Sequence, residues 1–217
     1  MPNKAKGFTL LELSISIAVI SFLIAAVTAG RGVKHRLELN QIIEDISNIS
    51  KSLKQFESTY GGIPGDLWNA EQVFDSANTN NGNGNTQIED LPTNETLLFW
   101  QHLALAGLLE GTYDGTTAGS EGQPSGSLKG SLYKARTLWN GSHGNVYYTV
   151  EKNAAGNGLF TTEEAFHFDS QHDNSDPNSG SIRASDGANA SAEDCITSSG
   201  EYNLTNNNGS PCILHFF

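Results

Sequence analysis

Near the amino terminus, two features place reactive groups in an apolar setting. Glu12 is the one charged side chain in the run from Phe8 to Ala29, and the Gly7–Phe8 peptide bond stands at the entrance to that run. An acid in a bilayer-length segment costs roughly 2.5–3.5 kcal/mol on insertion scales, so it calls for a partner. Hydrolysis after Gly7 would expose a new α-amine on Phe8 in the same apolar surroundings. Burying two opposite charges together is far cheaper than burying either alone. The chemistry on offer is an amine–carboxylate pairing created by cleavage.

A second donor set lies further along. Asn81, Asn83, Asn85, Gln87 and Glu89 place oxygen-bearing side chains at alternate positions around Gly82 and Gly84, and Ile88 stands where calcium loops keep an apolar anchor. Calcium takes six to eight oxygens, and such alternation can wrap them about one ion. The early positions are Asn rather than Asp, so charge would come from Glu89 and Asp90, with Asp75 nearby. A plain polar loop accounts for the same residues. Asp169, His172, Asp173 and Asp176 follow no recognised ligand spacing and read as a solvated loop. Gly-x-Ser-x-Gly, a phosphate loop, His-Glu-x-x-His and Cys-x-x-Cys are all absent, so nothing points to an enzyme. No cofactor is called for beyond the calcium option.

The element that must position Glu12 is a helix. An ordinary secretory signal has its small-residue cleavage site after the apolar core, whereas here Gly7 precedes the core. Phe8 to Ala29 would span about 33 Å as a helix, against about 30 Å of hydrocarbon. Thr9, Ser14, Ser16, Ser21 and Thr28 can return their hydroxyls to their own backbone. Lys4 and Lys6 on the short side fit a cytoplasmic start, although Arg31, Lys34 and Arg36 on the far side weaken that bias.

With its lysines, glycine and the string Gly7-Phe8-Thr9-Leu10-Leu11-Glu12-Leu13 opening an apolar helix, the chain resembles the type IV pilin and pseudopilin family over about residues 4–30. The resemblance implies that prepilin peptidase cuts after Gly7, that Phe8 becomes an N-methylated first residue, and that Glu12 pairs with the Phe8 amine of a neighbouring subunit during fibre assembly. It further implies other pilins and an inner-membrane assembly platform as partners. The precursor would sit in a bacterial inner membrane with its head in the periplasm, later moving into a pilus or pseudopilus. Many pilins carry a kinking proline late in this segment. Here Gly30 and Gly32 stand instead as a local weak point.

Beyond the glycines, Leu39, Ile42, Ile46, Ile49, Leu53, Phe56 and Tyr60 recur in steps of three and four, an apolar stripe on a water-exposed helix. Gly61-Gly62-Ile63-Pro64-Gly65 ends it. This predicts a leader over 1–7, a membrane and polymerisation helix over 8–30, a spine over 31–60 and a globular head over 61–217. In the head, Asp66 is expected to cap a helix over 68–74, and a second helix is expected over 93–109 with Gly111 as its stop. Strands are expected at 146–150, 165–168 and 212–217. The fold class is α+β, a long amino-terminal helix packed on a small antiparallel sheet. Cys195 and Cys212 allow one pairing, about 17 residues apart, in an oxidising compartment; two free buried thiols are the alternative. By resemblance, the pairing bounds the variable carboxy-terminal region of pilins.

Residues 8–60 carry five basic and five acidic side chains, whereas residues 61–217 carry five basic and 19 acidic, a net of −14. Such a head opposes non-specific nucleic-acid binding. Three functions fit: a subunit of a type IV pilus, a pseudopilin of a type II secretion system, or a membrane-anchored binding head that does not polymerise. A retraction ATPase among genomic neighbours favours the first over the second. Ligand binding without polymerisation marks the third.

Overall fold

The structure is a computed structural model and describes residues 7–74, 79–90, 94–139, 142–206 and 208–217. Helix α1 runs unbroken from Leu10–Tyr60, through Gly30 and Gly32. Thr9 caps its start, and Gly61 at φ 73° closes it with an N–H to the Glu57 carbonyl. The hydroxyls of Ser14, Ser16 and Ser21 return to the carbonyls of Leu11, Glu12 and Ile17 at 2.7–2.8 Å. Polar side chains thus enter an apolar helix without leaving donors bare.

The second half of α1 is the spine of the head. Ile42, Ile49 and Phe56, seven residues apart, are buried, with Leu39, Ile46, Leu53 and Tyr60 packed beside them. The stripe read from the sequence is the buried face. Facing it is a four-stranded antiparallel sheet of order β1-β2-β4-β3, with β1 Ser131–Trp139, β2 Ser142–Lys152, β3 Ile182–Asp186 and β4 Cys212–Phe216. Tyr133, Ala135, Tyr148, Val150, Ala184, Leu214 and Phe216 join the core. Long-range hydrogen bonds fasten head to spine, among them Ser127 Oγ to Glu38 O, Tyr133 Oη to Asp45 Oδ2, Ser52 Oγ to Leu108 O and His35 Nε2 to Glu164 Oε1, at 2.6–2.8 Å.

The remaining helices are α2 Ala70–Val73, α3 Glu95–Leu105 and α4 Thr162–His172. Several expectations are corrected. The segment 165–168, expected as a strand, lies inside α4. Thr161 and Glu164 form a capping box there, and Ala165 and Phe168 share the core face at helical spacing. The first head helix is only Ala70–Val73, and Asp66 does not cap it. Helix α3 is shorter than 93–109 because Gly107, at φ 69°, already turns the chain before Gly111. Strands β1 and β3 were not anticipated. In β1, Lys134 and Arg136 alternate with Tyr133 and Ala135, so the charges sit on the outer face of the sheet.

The Cys195–Cys212 disulfide is formed. It ties β4 to the loop that follows β3. Tyr202 is buried within the span it bounds and donates to Asp169 Oδ2 at 2.9 Å. The segment after Glu201, polar enough to read as loose chain, is held to the head at that point.

Candidate functional site

The site is built on the first turn of α1. Thr9 and Glu12 make a reciprocal capping box: Glu12 N–H donates to Thr9 Oγ1 at 3.2 Å, while Thr9 N–H and Oγ1–H both donate to Glu12 Oε2 at 2.9 Å. Phe8 precedes the cap and is 85 % exposed, and Gly7 has open space around it. Lys4 and Lys6 lie outside the described residues. The geometry brings Gly7, Phe8 and Glu12 within one turn. Glu12 uses one carboxylate oxygen on Thr9, and none of the described hydrogen bonds engages the other. Sequence reading missed Thr9 as the holder of that carboxylate, although Thr-x-x-Glu before an apolar run is the signal for it.

From Leu10 to Val27, the large side chains of α1 stay exposed. The helix is long and apolar enough to cross a membrane by length and composition, and that stretch buries nothing inside the chain. An apolar surface of this size needs lipid or other apolar helices around it.

The suggested calcium residues sit in a loop already organised by carboxylates. Asp66, 4 % exposed, accepts backbone N–H groups from Gly84, Asn85 and Thr86 at 2.7–3.0 Å. Glu95, fully buried, accepts those of Asn83 and Glu89 at 2.9 and 3.2 Å. Glu89 accepts from the side-chain amides of Asn83 and Asn85. The side-chain oxygens of Asn83 and Asn85 accept from the Asn85 and Gln87 N–H groups, as in Asx-turns, and that of Asn81 accepts from the Glu71 N–H. Close packing fixes the loop further, since Gly65 has φ 88° and a Cβ there would fall 2.4 Å from the Glu95 carbonyl. Asp75 lies outside the described residues. Among the described residues, no group of three or more His, Cys, Asp or Glu is arranged to hold a metal ion.

The second acidic group is structural as well. Asp169 accepts from Tyr202 and Ser175, Asp173 from Ile182, and Asp176 from Asn178 and Ser179. His172 is exposed at the end of α4. Asp90 meets Lys134 at 3.2 Å and Arg136 at 3.5 Å on the outer face of the sheet.

A family model described as the prokaryotic N-terminal methylation motif matches residues 2–28. No curated protein and no solved structure matches the chain. The matched residues span Gly7, Phe8, Thr9, Glu12 and most of the apolar run. The chain carries a prepilin signal of the type IV pilin and pseudopilin type.

Proposed function

We propose that the chain is the precursor of a structural subunit of a type IV pilus or pilus-like fibre. In this reading, residues 1–7 are a leader removed by hydrolysis of the Gly7–Phe8 bond. The new amine of Phe8 is methylated, and residues 8–30 first anchor the chain in a membrane and then line the fibre core. The observation that carries the reading is a carboxylate held at the mouth of an otherwise uncharged, fully exposed helix within the matched motif. The methylated amine keeps its positive charge. Pairing it with Glu12 of a neighbouring copy neutralises both groups as they leave water.

The expected outcome for Glu12→Ala is loss of fibres with normal leader removal. Sheared surface fibres are imaged while mass spectrometry follows the amino terminus. Normal fibre yield from the variant would sink the pairing. An unprocessed amino terminus on the wild-type chain would sink the whole reading.

A further inference from the structure

Between Glu12 and Glu38 the chain has no acidic residue, yet it carries Arg31, Lys34 and Arg36. Residues 38–217, by contrast, carry seven basic and 23 acidic side chains. Arg31, Lys34 and Arg36 form one collar just past the apolar run. Six or seven residues beyond Ala29 correspond to about 9–11 Å of helix. The polar layer of a bilayer extends about 5–8 Å past the hydrocarbon. Arginine and lysine bridge such a gap by turning their long stems toward the interface. A collar at this height is placed to meet lipid headgroups.

At the same level a groove of about 470 Å³ opens between α1 and α4. Arg36 and Asn40 line it from α1, one turn apart, and His167 and Gln171 line it from α4, again one turn apart. Leu39 and the buried Phe168 supply apolar walls. One carboxylate, Glu164, also lines it, and both Glu164 and the nearby Glu38 are already engaged. Glu38 pairs with Lys34, and Glu164 takes His35 Nε2 at 2.7 Å and its own cap N–H from Thr161 at 2.9 Å. Arg36 is exposed, and among the described residues no carboxylate pairs with it. Nitrogen donors from two helices, an unmatched guanidinium and apolar walls suit a phosphate attached to a glycerol and acyl chains.

We infer that the α1–α4 groove binds the phosphate of an anionic glycerophospholipid on the side of the membrane away from the leader. The inference rests on the membrane-anchored reading above. It accounts for three cations on that side, where the usual charge bias places few. Bound lipid would hold the head at a fixed height over the bilayer until the helix leaves for the fibre.

The test uses the full chain. Its insertion is checked by co-flotation with phosphatidylcholine vesicles, and lipids retained from mixed phosphatidylglycerol and phosphatidylcholine micelles are counted by native mass spectrometry. Phosphatidylglycerol should be retained over phosphatidylcholine. The double variant Arg36→Gln, His167→Gln should lose about fivefold or more of it, as expected for one lost cation near an anionic surface. Lys129→Gln, an exposed cation elsewhere on the head, should behave as wild type. Equal retention of both lipids, or undiminished retention by the double variant, would overturn the inference while leaving the anchor intact. Loss of the lipid to millimolar inorganic phosphate would overturn the lipid assignment in favour of a free anion. Failure to co-float would remove the anchored reading and the inference together.

Discussion

Asp66 gathers three backbone N–H groups from a loop that Glu95 also holds, through the N–H groups of Asn83 and Glu89. Burial pushes its carboxyl above the ordinary aspartate range even against those donors. Asp66→Ala leaves buried donors without a partner and should cost about 3 kcal/mol, read as a fall of about 6–12 °C in Tm. Asp66→Asn, which keeps a single acceptor oxygen, should cost less. Two histidines set the pH dependence. His102 accepts the Gly65 N–H at 2.9 Å and is fully buried, and burial lowers its pKa to about 4. His215, also buried and 2.7 Å from Ser185 Oγ, falls to about 3, with Arg136 and Arg183 adding to the effect of burial. The unfolded chain titrates both near 6.5. Between about pH 6.5 and 4 it therefore binds more protons than the fold, and stability drops as pH falls. The slope should approach 2–3 kcal/mol per pH unit near pH 5. Asp66 and Asp169, whose pKa values burial raises, act in the opposite sense at the acid end and blunt the loss. Urea unfolding at pH 7, 6 and 5 measures the slope, and His102→Gln should roughly halve it.

Among the elements, α1 was the most readable because a bilayer-length apolar run and then a three-and-four stripe mark most of its 51 residues. Its apolar first half and striped second half differ in pattern, yet backbone hydrogen bonding carries the helix through Gly30 and Gly32. Helix α4 was misread because Ala-Phe-His-Phe alternates like a strand over four residues. The capping box that precedes it, Thr161 to Glu164, decides for helix. The sheet needs more than pattern. Strand β4 closes between β2 and β3, which precede it by 60 and 26 residues at their last positions, so its neighbours could not be chosen locally. The disulfide fixes the start of β4, and the double substitution Cys195→Ser, Cys212→Ser should cost about 3 kcal/mol in the loop-closure account. Differential scanning calorimetry checks this, with a Tm about 6–12 °C lower expected. Expression in a reducing compartment should give the same deficit.

At the scale of the molecule, an apolar segment with a single carboxylate leads through a basic collar into an acidic head. The net of −14 over residues 61–217 predicts that the full chain gives no shift of a 30-base-pair duplex at low micromolar protein and about 150 mM salt, because phosphate contacts require clustered Lys and Arg. A retarded band under those conditions would show that the three-residue collar outweighs the head. The sequence by itself determined the amino-terminal motif, since a glycine, an acid and an apolar run are all local in the chain. It also determined the buried face of the spine, which is a matter of period, and the pairing of the only two cysteines. Tertiary structure alone decided the order β1-β2-β4-β3, the use of Asp66 and Glu95 as anchors for a distant loop, and the meeting of α1 with α4 at the collar. Each of these joins residues far apart in sequence, and which partners meet depends on how the whole core closes rather than on any local preference.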